Sequence, residues 1–317
     1  MTSSQQIVRN ILGKRPVWPH RPPGGTISGW VDFALAELRG AVLEQVNGAP
    51  EGAVLAFSSA AWDSEHLGVQ VAKVAFVVGP ATSQALDAVV SAALASAMQQ
   101  GHQYLVTRID AADLPLVQAL ERQRFQLIDV LLTQYLSVTP FESKLPGAPQ
   151  ASGSLLVRAA GTDDAPMVGK ICAESMVSSR FHADPFVGPD RASRVFADWG
   201  RNLILGGQAD VTLVAEEGGE VAGFLALREV AASRESLGFK YARIELTAVR
   251  EGSRGRGVFQ ALFERAREIA LHRAWALLGV GTQVNNIAAI RAYQKAGFSA
   301  GESAFTLRWL DPKLGGW

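Results

Sequence analysis

The stretch from Ile244 to Ala270 constrains the fold more than any other part of the chain. An apolar run, Ile244 to Val249, leads into Arg250-Glu-Gly-Ser-Arg-Gly-Arg-Gly257. The run Phe259-Gln-Ala-Leu-Phe-Glu-Arg-Ala-Arg-Glu-Ile-Ala270 follows with helical spacing. This predicts a strand, a glycine-rich turn and a helix that opens from the turn. Gly255 and Gly257 carry no Cβ, so a ligand can come close to their backbone. Their N–H groups and those of the first helical turn converge at the positive end of the helix dipole. Arg254 and Arg256 add full charges. The stretch therefore reads as a phosphate or pyrophosphate site. It lacks the Gly-Lys-Ser/Thr ending of a Walker loop and the glycine spacing of a dinucleotide fingerprint.

The rest of the sequence is globular and evenly charged. It has 317 residues, 48% hydrophobic, with 30 Lys and Arg against 30 Asp and Glu. A net charge of zero argues against a general nucleic-acid or anionic-membrane binder. A single Cys excludes an internal disulfide framework, and Cys172 in a helix-like run reads as core filler. Cys172 and the five His show no metal-ligand spacing, so no metal is expected. No apolar run is long enough to span a bilayer, and the first ten residues lack a signal core, which points to the cytoplasm.

Strand-like and helix-like segments alternate along the chain, predicting an α/β fold with a mixed sheet. Residues 1–27, with Pro16, Pro19, Pro22 and Pro23, read as an extended arm. Residues 28–138 read as one α/β domain, beginning with a helix over Ser28 to Glu44. Residues 139–153 hold Pro140, Pro146, Gly147, Pro149 and Gly153 and read as a linker. Residues 154–317 form the second domain, in which Thr162-Asp163-Asp164 caps a helix. Residues Ser179 to Phe186 read as a loop, followed by a helix to Leu205 and a hairpin around Glu217-Gly218-Gly219.

A second stretch, Asn286-Ile-Ala-Ala289-Ile-Arg-Ala-Tyr293-Gln-Lys295-Ala-Gly297-Phe298, has the shape of a short helix. Asn286 stands at its start, Ala289 and Tyr293 share one face, and Gly297 ends it in the left-handed conformation. The stretch resembles one signature of the GNAT acyltransferase superfamily, Asn-x-x-Ala-x-x-x-Tyr-x-Lys-x-Gly-Phe. The loop at Gly255 and Gly257 resembles the other, Gln/Arg-x-x-Gly-x-Gly/Ala, with Gly252 departing at its first position. Arg254 and Arg256 can compensate for the missing side chain. The resemblance implies a GNAT fold in the C-terminal half and acetyl-CoA as co-substrate. The N-terminal half echoes it once, Leu120 to Phe125 against Tyr293 to Phe298. That half lacks a Gly-x-Gly loop, so it reads as a smaller, degenerate GNAT-like half that binds no CoA, or as convergence on a common helix–strand join.

The resemblance also implies roles. Backbone of Leu246, Thr247, Ala248 and Val249 would bond pantetheine, and Arg254, Gly255, Arg256, Gly257, Val258 and Phe259 would hold pyrophosphate. Asn286, Ala289 and Lys295 complete the cofactor face. Tyr293 matches the tyrosine that protonates the leaving thiolate. The base is open among water, Glu245 and His182; Glu245 reads equally as a salt-bridge partner. Water is favoured, since an amine with a low enough pKa needs little help. Arg180, Phe181 and His182 stand either as acceptor contacts or as packing at a domain interface. The Ser179–Phe186 segment, Gly281 to Ile290 and Trp62-Asp63-Ser64-Glu65-His66-Leu67-Gly68 resemble the TDP-fucosamine acetyltransferase branch. That resemblance implies a nucleotide-linked amino deoxysugar as the amine acceptor. A different small amine, such as an amino acid or antibiotic, and a non-catalytic CoA-binding sensor are the alternatives. The assembly, monomer or homodimer, is open.

Overall fold

A computed structural model describes residues 2–14, 17–46, 52–139 and 155–315. Apart from Thr139, the expected linker over 139–153 lies outside the described residues. In chain order the first elements are α1 (Ser3–Lys14), α2 (Ile27–Glu37), β1 (Val42–Val46), β2 (Ala53–Ser59) and α3 (Ala61–Leu67). Then come β3 (Val71–Val78), α4 (Ser83–Gln99), β4 (Tyr104–Asp110), α5 (Leu114–Arg122) and β5 (Gln126–Ser137). The second series is β6 (Leu155–Ala159), α6 (Ala165–Ser175), α7 (Arg180–Ala183), α8 (Pro189–Leu205), β7 (Val211–Glu217) and β8 (Glu220–Glu229). It ends with α9 (Ser233–Leu237), β9 (Lys240–Val249), α10 (Val258–His272), β10 (Trp275–Gln283), α11 (Ile287–Lys295) and β11 (Ser299–Leu310). The expected mixed α/β sheet is what forms.

The chain makes two compact units. The first takes Met1–Leu132, Ala183–Phe186 and Glu302–Trp317. In it β1, β2 and β3 pair antiparallel, β3 pairs β4 in parallel, and β4 pairs the end of β11 antiparallel. β2 shows why the sheet needs cover on both sides. Leu55 and Phe57 join a core with Leu86 and Val90 of α4 and Leu116 and Leu120 of α5. Val54 and Ala56, pointing the other way, join Val8, Ile11 and Leu12 of α1 and Trp30 and Val31 of α2. A strand buried on both faces carries an unbroken apolar run instead of alternation.

The expected extended arm over residues 1–27 is corrected here, because Ser3–Lys14 is a helix. Ile7, Val8, Ile11 and Leu12 lie on one stripe at helical spacing, and every proline that argued against a helix lies after Lys14. The helix predicted over Ser28 to Glu44 stops at Glu37, and Gly40, at φ 85°, turns the chain into β1.

The second unit takes Thr133–His182 and Val187–Gly301. Its strands repeat the pattern of the first: β6, β7, β8 and β9 are antiparallel in turn, and β9 pairs β10 in parallel. α10 lays Val258, Leu262, Phe263, Ala266 and Ala270 on one face of this sheet, in a core shared with Leu278, Val280, Tyr293 and Phe298. α6 and α8 meet through glycine: a Cβ on Gly200 would lie 2.6 Å from Cys172 Sγ and 3.0 Å from Gly169 Cα. Cys172 is buried, which fits its reading as core filler. Two strands are divided between the units: β5 passes from the first to the second after Leu132, and β11 from the second to the first after Gly301. The units thus differ from the boundaries expected at 138 and 154.

Candidate active site

β9 and β10 carry the site because they pair and then part. Their register runs from Trp275↔Lys240 to Val280↔Ile244 and stops there, although β9 continues to Val249 and β10 to Gln283. On its other edge β9 has a bulge. Leu227 faces Ile244 and Ala226 faces Leu246, so Glu245 is the extra residue between them. A bulge raises the local twist and turns the strand away from its neighbour. Leu246, Thr247, Ala248 and Val249 keep β8 partners but have none on β10 among the described residues. Their backbone is left for a ligand that can add itself as a strand would.

At the end of β9 the glycine turn takes the predicted form. Gly255 has φ 75° and Gly257 φ 84°, and a Cβ on either would meet nothing within 4 Å. The turn needs these residues for their conformation, and the space beside them is open. Gly257 is the residue before α10, and no side chain caps the helix. Ala261 N–H returns to Gly257 O at 3.0 Å, so the amides of Val258, Phe259 and Gln260 precede the first helical bond. The equivalent place in the first unit, between β3 and α4, carries a side-chain cap. Thr82 accepts a hydrogen bond from Ala85 N–H at 3.3 Å and so caps that helix start. The start of α4 thus has one of its first-turn amides taken by a side chain, whereas the start of α10, behind two glycines at positive φ, has none taken.

The two turn arginines are arranged unequally. Arg256 is paired with Glu217 at 2.7 Å, and Ser253 Oγ donates to the same carboxylate at 3.5 Å. Arg254 reaches back to Val249 O at 3.4 Å and is exposed. The anchor of the turn is Val258, whose Cγ1 lies 2.9 Å from where Gly223 would carry a Cβ. Sequence reasoning missed Glu217 and Gly223. Glu217 was visible only as the start of a hairpin, and the close approach at Gly223 has no local signature.

α11 forms as its signature predicted. Asn286 Oδ1 accepts from Ala289 N–H at 3.2 Å, so its side chain is spent on the cap. Ala289 is half-buried in the core with Tyr293, and Lys295 is exposed. Gly297, at φ 91°, ends the helix, with Phe298 N–H bonded to Tyr293 O at 3.0 Å. Tyr293 is buried, edge-on to Phe259 and Phe298 at 5.7 Å each. Burial pushes its phenol well above its ordinary range, so it holds its proton at neutral pH. Such a group can give a proton and is unsuited to take one. Glu245 is half-buried, with its carboxylate 3.8 Å from Arg243 Nε.

The Ser179–Phe186 segment is not a plain loop, since Arg180–Ala183 makes one helical turn. Phe181 is buried and edge-on to Phe196 at 6.0 Å, so it is a packing residue. Arg180 lies over the Phe181 ring at 3.9 Å. His182 stacks on Phe196 at 5.8 Å, and burial lowers its pKa. Among the described residues no group of three or more His, Cys, Asp or Glu could hold a metal ion. Nor is any described helix long and apolar enough to cross a membrane.

The sequence pattern of the acetyltransferase (GNAT) family matches residues 173–298, which include the whole of this site. Residues 173–298 therefore make up a GNAT acetyltransferase domain, and the chain is an N-acetyltransferase. It is similar to the spore coat polysaccharide biosynthesis protein SpsD of Bacillus subtilis (strain 168), 25% identical over 257 residues, 80% of this chain and 82% of that protein. It is also similar to the dTDP-fucosamine acetyltransferase of Escherichia coli O6:H1 (strain CFT073), 30% identical over 148 residues, 46% of this chain and 58% of that protein. Among solved structures, a tandem GNAT protein from the clavulanic acid biosynthesis pathway aligns with a TM-score of 0.58 at 15% identity, covering 97% of this chain and 94% of that one. That likeness is one of fold, and it agrees with two GNAT-like units in one chain.

Proposed function

We propose that the second unit transfers an acetyl group from acetyl-CoA to a primary amine of a small molecule, and that the amine belongs to a nucleotide-linked amino deoxysugar. The observation that carries the reading is the uncapped start of α10 behind Gly255 and Gly257, at the end of a strand with an unpaired edge. The first half of the chain has a similar layout with a side-chain cap at the helix start and no Gly-x-Gly turn, and it binds no CoA in this reading.

Acetyl-CoA supplies an activated acyl group and a thiolate leaving group. The residues present fit it. Backbone of Leu246 to Val249 offers the pantetheine arm hydrogen bonds of the kind a neighbouring strand would make. An N–H on that edge also polarises the carbonyl to be attacked. The amides from Gly255 to Phe259 take the pyrophosphate, with Arg254 adding charge and Arg256 held in place by Glu217. Asn286 acts by starting α11, Ala289 leaves room beside the helix, and Lys295 lies exposed at its end. Tyr293, kept protonated by burial, gives its proton to the departing thiolate. Water is the preferred base. Glu245 is engaged with Arg243, and His182 has its Nδ1 2.8 Å from Ser179 Oγ.

The amino-sugar acceptor is supported by the names of the two curated relatives, one in polysaccharide biosynthesis and one a dTDP-fucosamine acetyltransferase. The lack of a nucleic-acid or anionic-membrane partner is supported in this reading by the balanced charge, and the cytoplasm is the location expected from the sequence. The test is release of free thiol from acetyl-CoA with a panel of amines. The reading expects the fastest turnover with a dTDP-linked amino deoxysugar. Faster turnover with an amino acid or aminoglycoside would move the acceptor. Binding of acetyl-CoA without turnover on any amine would make the protein a sensor.

A further inference from the structure

We infer that Glu217, at the turn between β7 and β8, is a positioning residue for the cofactor: it holds the glycine turn before α10 in the shape that aims its amides at the pyrophosphate. The identity of that ligand rests on the acetyl-transfer reading above. Glu217 ends β7, and Gly218 and Gly219, at φ 60° and 85°, fold the chain back into β8. Its side chain is 14% exposed, and its two oxygens reach different residues. Oε1 lies 2.7 Å from Arg256 Nη2, and Oε2 accepts from Ser253 Oγ at 3.5 Å. Ser253 is buried. These two partners stand on either side of Arg254 and Gly255, so one carboxylate spans the middle of the turn.

The ends of the turn are tied by other means. Arg250 N–H donates to Ala222 O at 2.8 Å, one residue beyond the paired Val249, and Val258 packs against Gly223. Between these ends stand Gly255 and Gly257, both at positive φ. Their backbone freedom would have to be removed when a ligand binds, unless the fold removes it first. Arg256 lies between the two glycines, so holding its side chain restrains both. Charge alone gives the opposite expectation. Arg250 pairs with Glu220 at 2.6 Å and Arg256 with Glu217, so of the three arginines in the turn only Arg254 lacks a carboxylate partner among the described residues. A carboxylate beside an anion site repels the anion and occupies a cation that the anion could use. A positioning carboxylate strengthens binding in spite of that repulsion, so the sign of its effect separates the two roles.

The test is calorimetric titration of the full chain with acetyl-CoA. Glu217→Ala should weaken binding about three- to fivefold, the worth of one partly exposed ion pair, although it removes a negative charge. Arg256→Ala should weaken it too, and the double variant should bind no worse than the weaker single one, because the two residues act as one tie. In turnover the loss should appear in KM for acetyl-CoA and leave KM for the amine in place, a split that a general loss of stability would not produce. Unchanged or tighter binding in Glu217→Ala, or losses that add in the double variant, overturns the inference. If Glu217→Ala fails to fold, Glu217→Gln, which keeps the shape and removes the charge, decides by the same sign. Hydrogen exchange of the ligand-free chain tests the tie without any cofactor. The amides of Arg250, Ser253 and Arg254, each bonded to a backbone carbonyl, should exchange faster in Glu217→Ala. Exchange at the parent rate overturns the positioning role. A parent chain that binds no acetyl-CoA sinks the acetyl-CoA reading and the cofactor role with it, while the exchange still decides whether Glu217 holds the turn.

Discussion

Tyr293 and Gly257 are the residues on which the proposed reaction turns. Replacing Tyr293 with Phe removes one oxygen from a ring already fixed by Phe259 and Phe298. If the phenol protonates the thiolate, kcat falls by ~10²–10⁴, the usual worth of a general acid. KM for acetyl-CoA should hardly move, because the lost bond matters mainly in the transition state. A folded variant turning over at the parent rate would remove the acid role. Gly257→Val adds a branched side chain at φ 84°, where the space is open for a ligand. Affinity for CoA in a calorimetric titration should fall about tenfold, or ~1.4 kcal/mol. Unchanged affinity would put the pyrophosphate elsewhere. Both residues were legible in the sequence because each does its work through a local rule. Glu245 was read equally as a salt-bridge partner, and Arg243 stands two residues before it; the partner of Arg256 was not legible, since Glu217 is 39 positions away by numbering (256 − 217) and only the tertiary fold brings them together.

Among the elements, the start of α6 shows a local rule giving way to a tertiary contact. Thr162-Asp163-Asp164 reads as a cap, yet no side chain caps α6. Asp164 instead accepts from Gly161 N–H at 2.8 Å and pairs with Arg158 of β6 at 2.6 Å. Arg158 also meets Glu216 of β7 at 3.0 Å, so one guanidinium joins a helix entry to two strands. The hydrogen bond from Arg158, and secondarily that from Gly161, hold the Asp164 carboxyl below its ordinary range. The folded pKa is the lower one, so below the unfolded value of about 3.9 the unfolded state binds more protons. The resulting stability is fully present above about pH 4 and is lost as pH falls through the folded pKa. Asp164→Asn should flatten the melting temperature below about pH 4 and lower it at neutral pH. An unchanged acid limb in a thermal melt series would show that the pair contributes nothing. The end of α2 was also misjudged, because its apolar spacing continues past Gly40, where a positive φ breaks the helix.

At the scale of the whole molecule, the divided strands change what a fragment can do. A cut at residue 154 reads from sequence as a clean separation of domains. The second unit, however, includes Thr133 to Ser137 of β5, and the first includes Glu302 to Leu310 of β11. Leu136 and Val138 belong to the core that holds Tyr293, and Leu307 and Trp309 to the core under α4 and α5. Each fragment would lose strand partners and apolar cover. The 154–317 fragment should show no cooperative melt and bind no acetyl-CoA, while the full chain binds it. A fragment with a sharp transition and parent affinity would mean the borrowed residues are dispensable. The first unit also holds a buried ion pair with no sequence cue. Arg308 Nε lies 3.2 Å from Asp184 Oδ2, and Tyr104 donates to the same oxygen at 2.7 Å.

Read alone, the sequence determined the glycine turn, the α11 signature and the alternation of strands and helices. Each is set within a dozen residues by backbone geometry, spacing and the need to satisfy helix ends. It could not determine which helix start stays open, since Thr82 and Gly257 differ in meaning only when β3–α4 and β9–α10 occupy matching places. Nor could it determine that Asp184 is buried against Arg308, or that β5 and β11 each divide between two units. Those outcomes come from pairing residues far apart in the chain, where burial and partner geometry fix the result and local propensity carries no information.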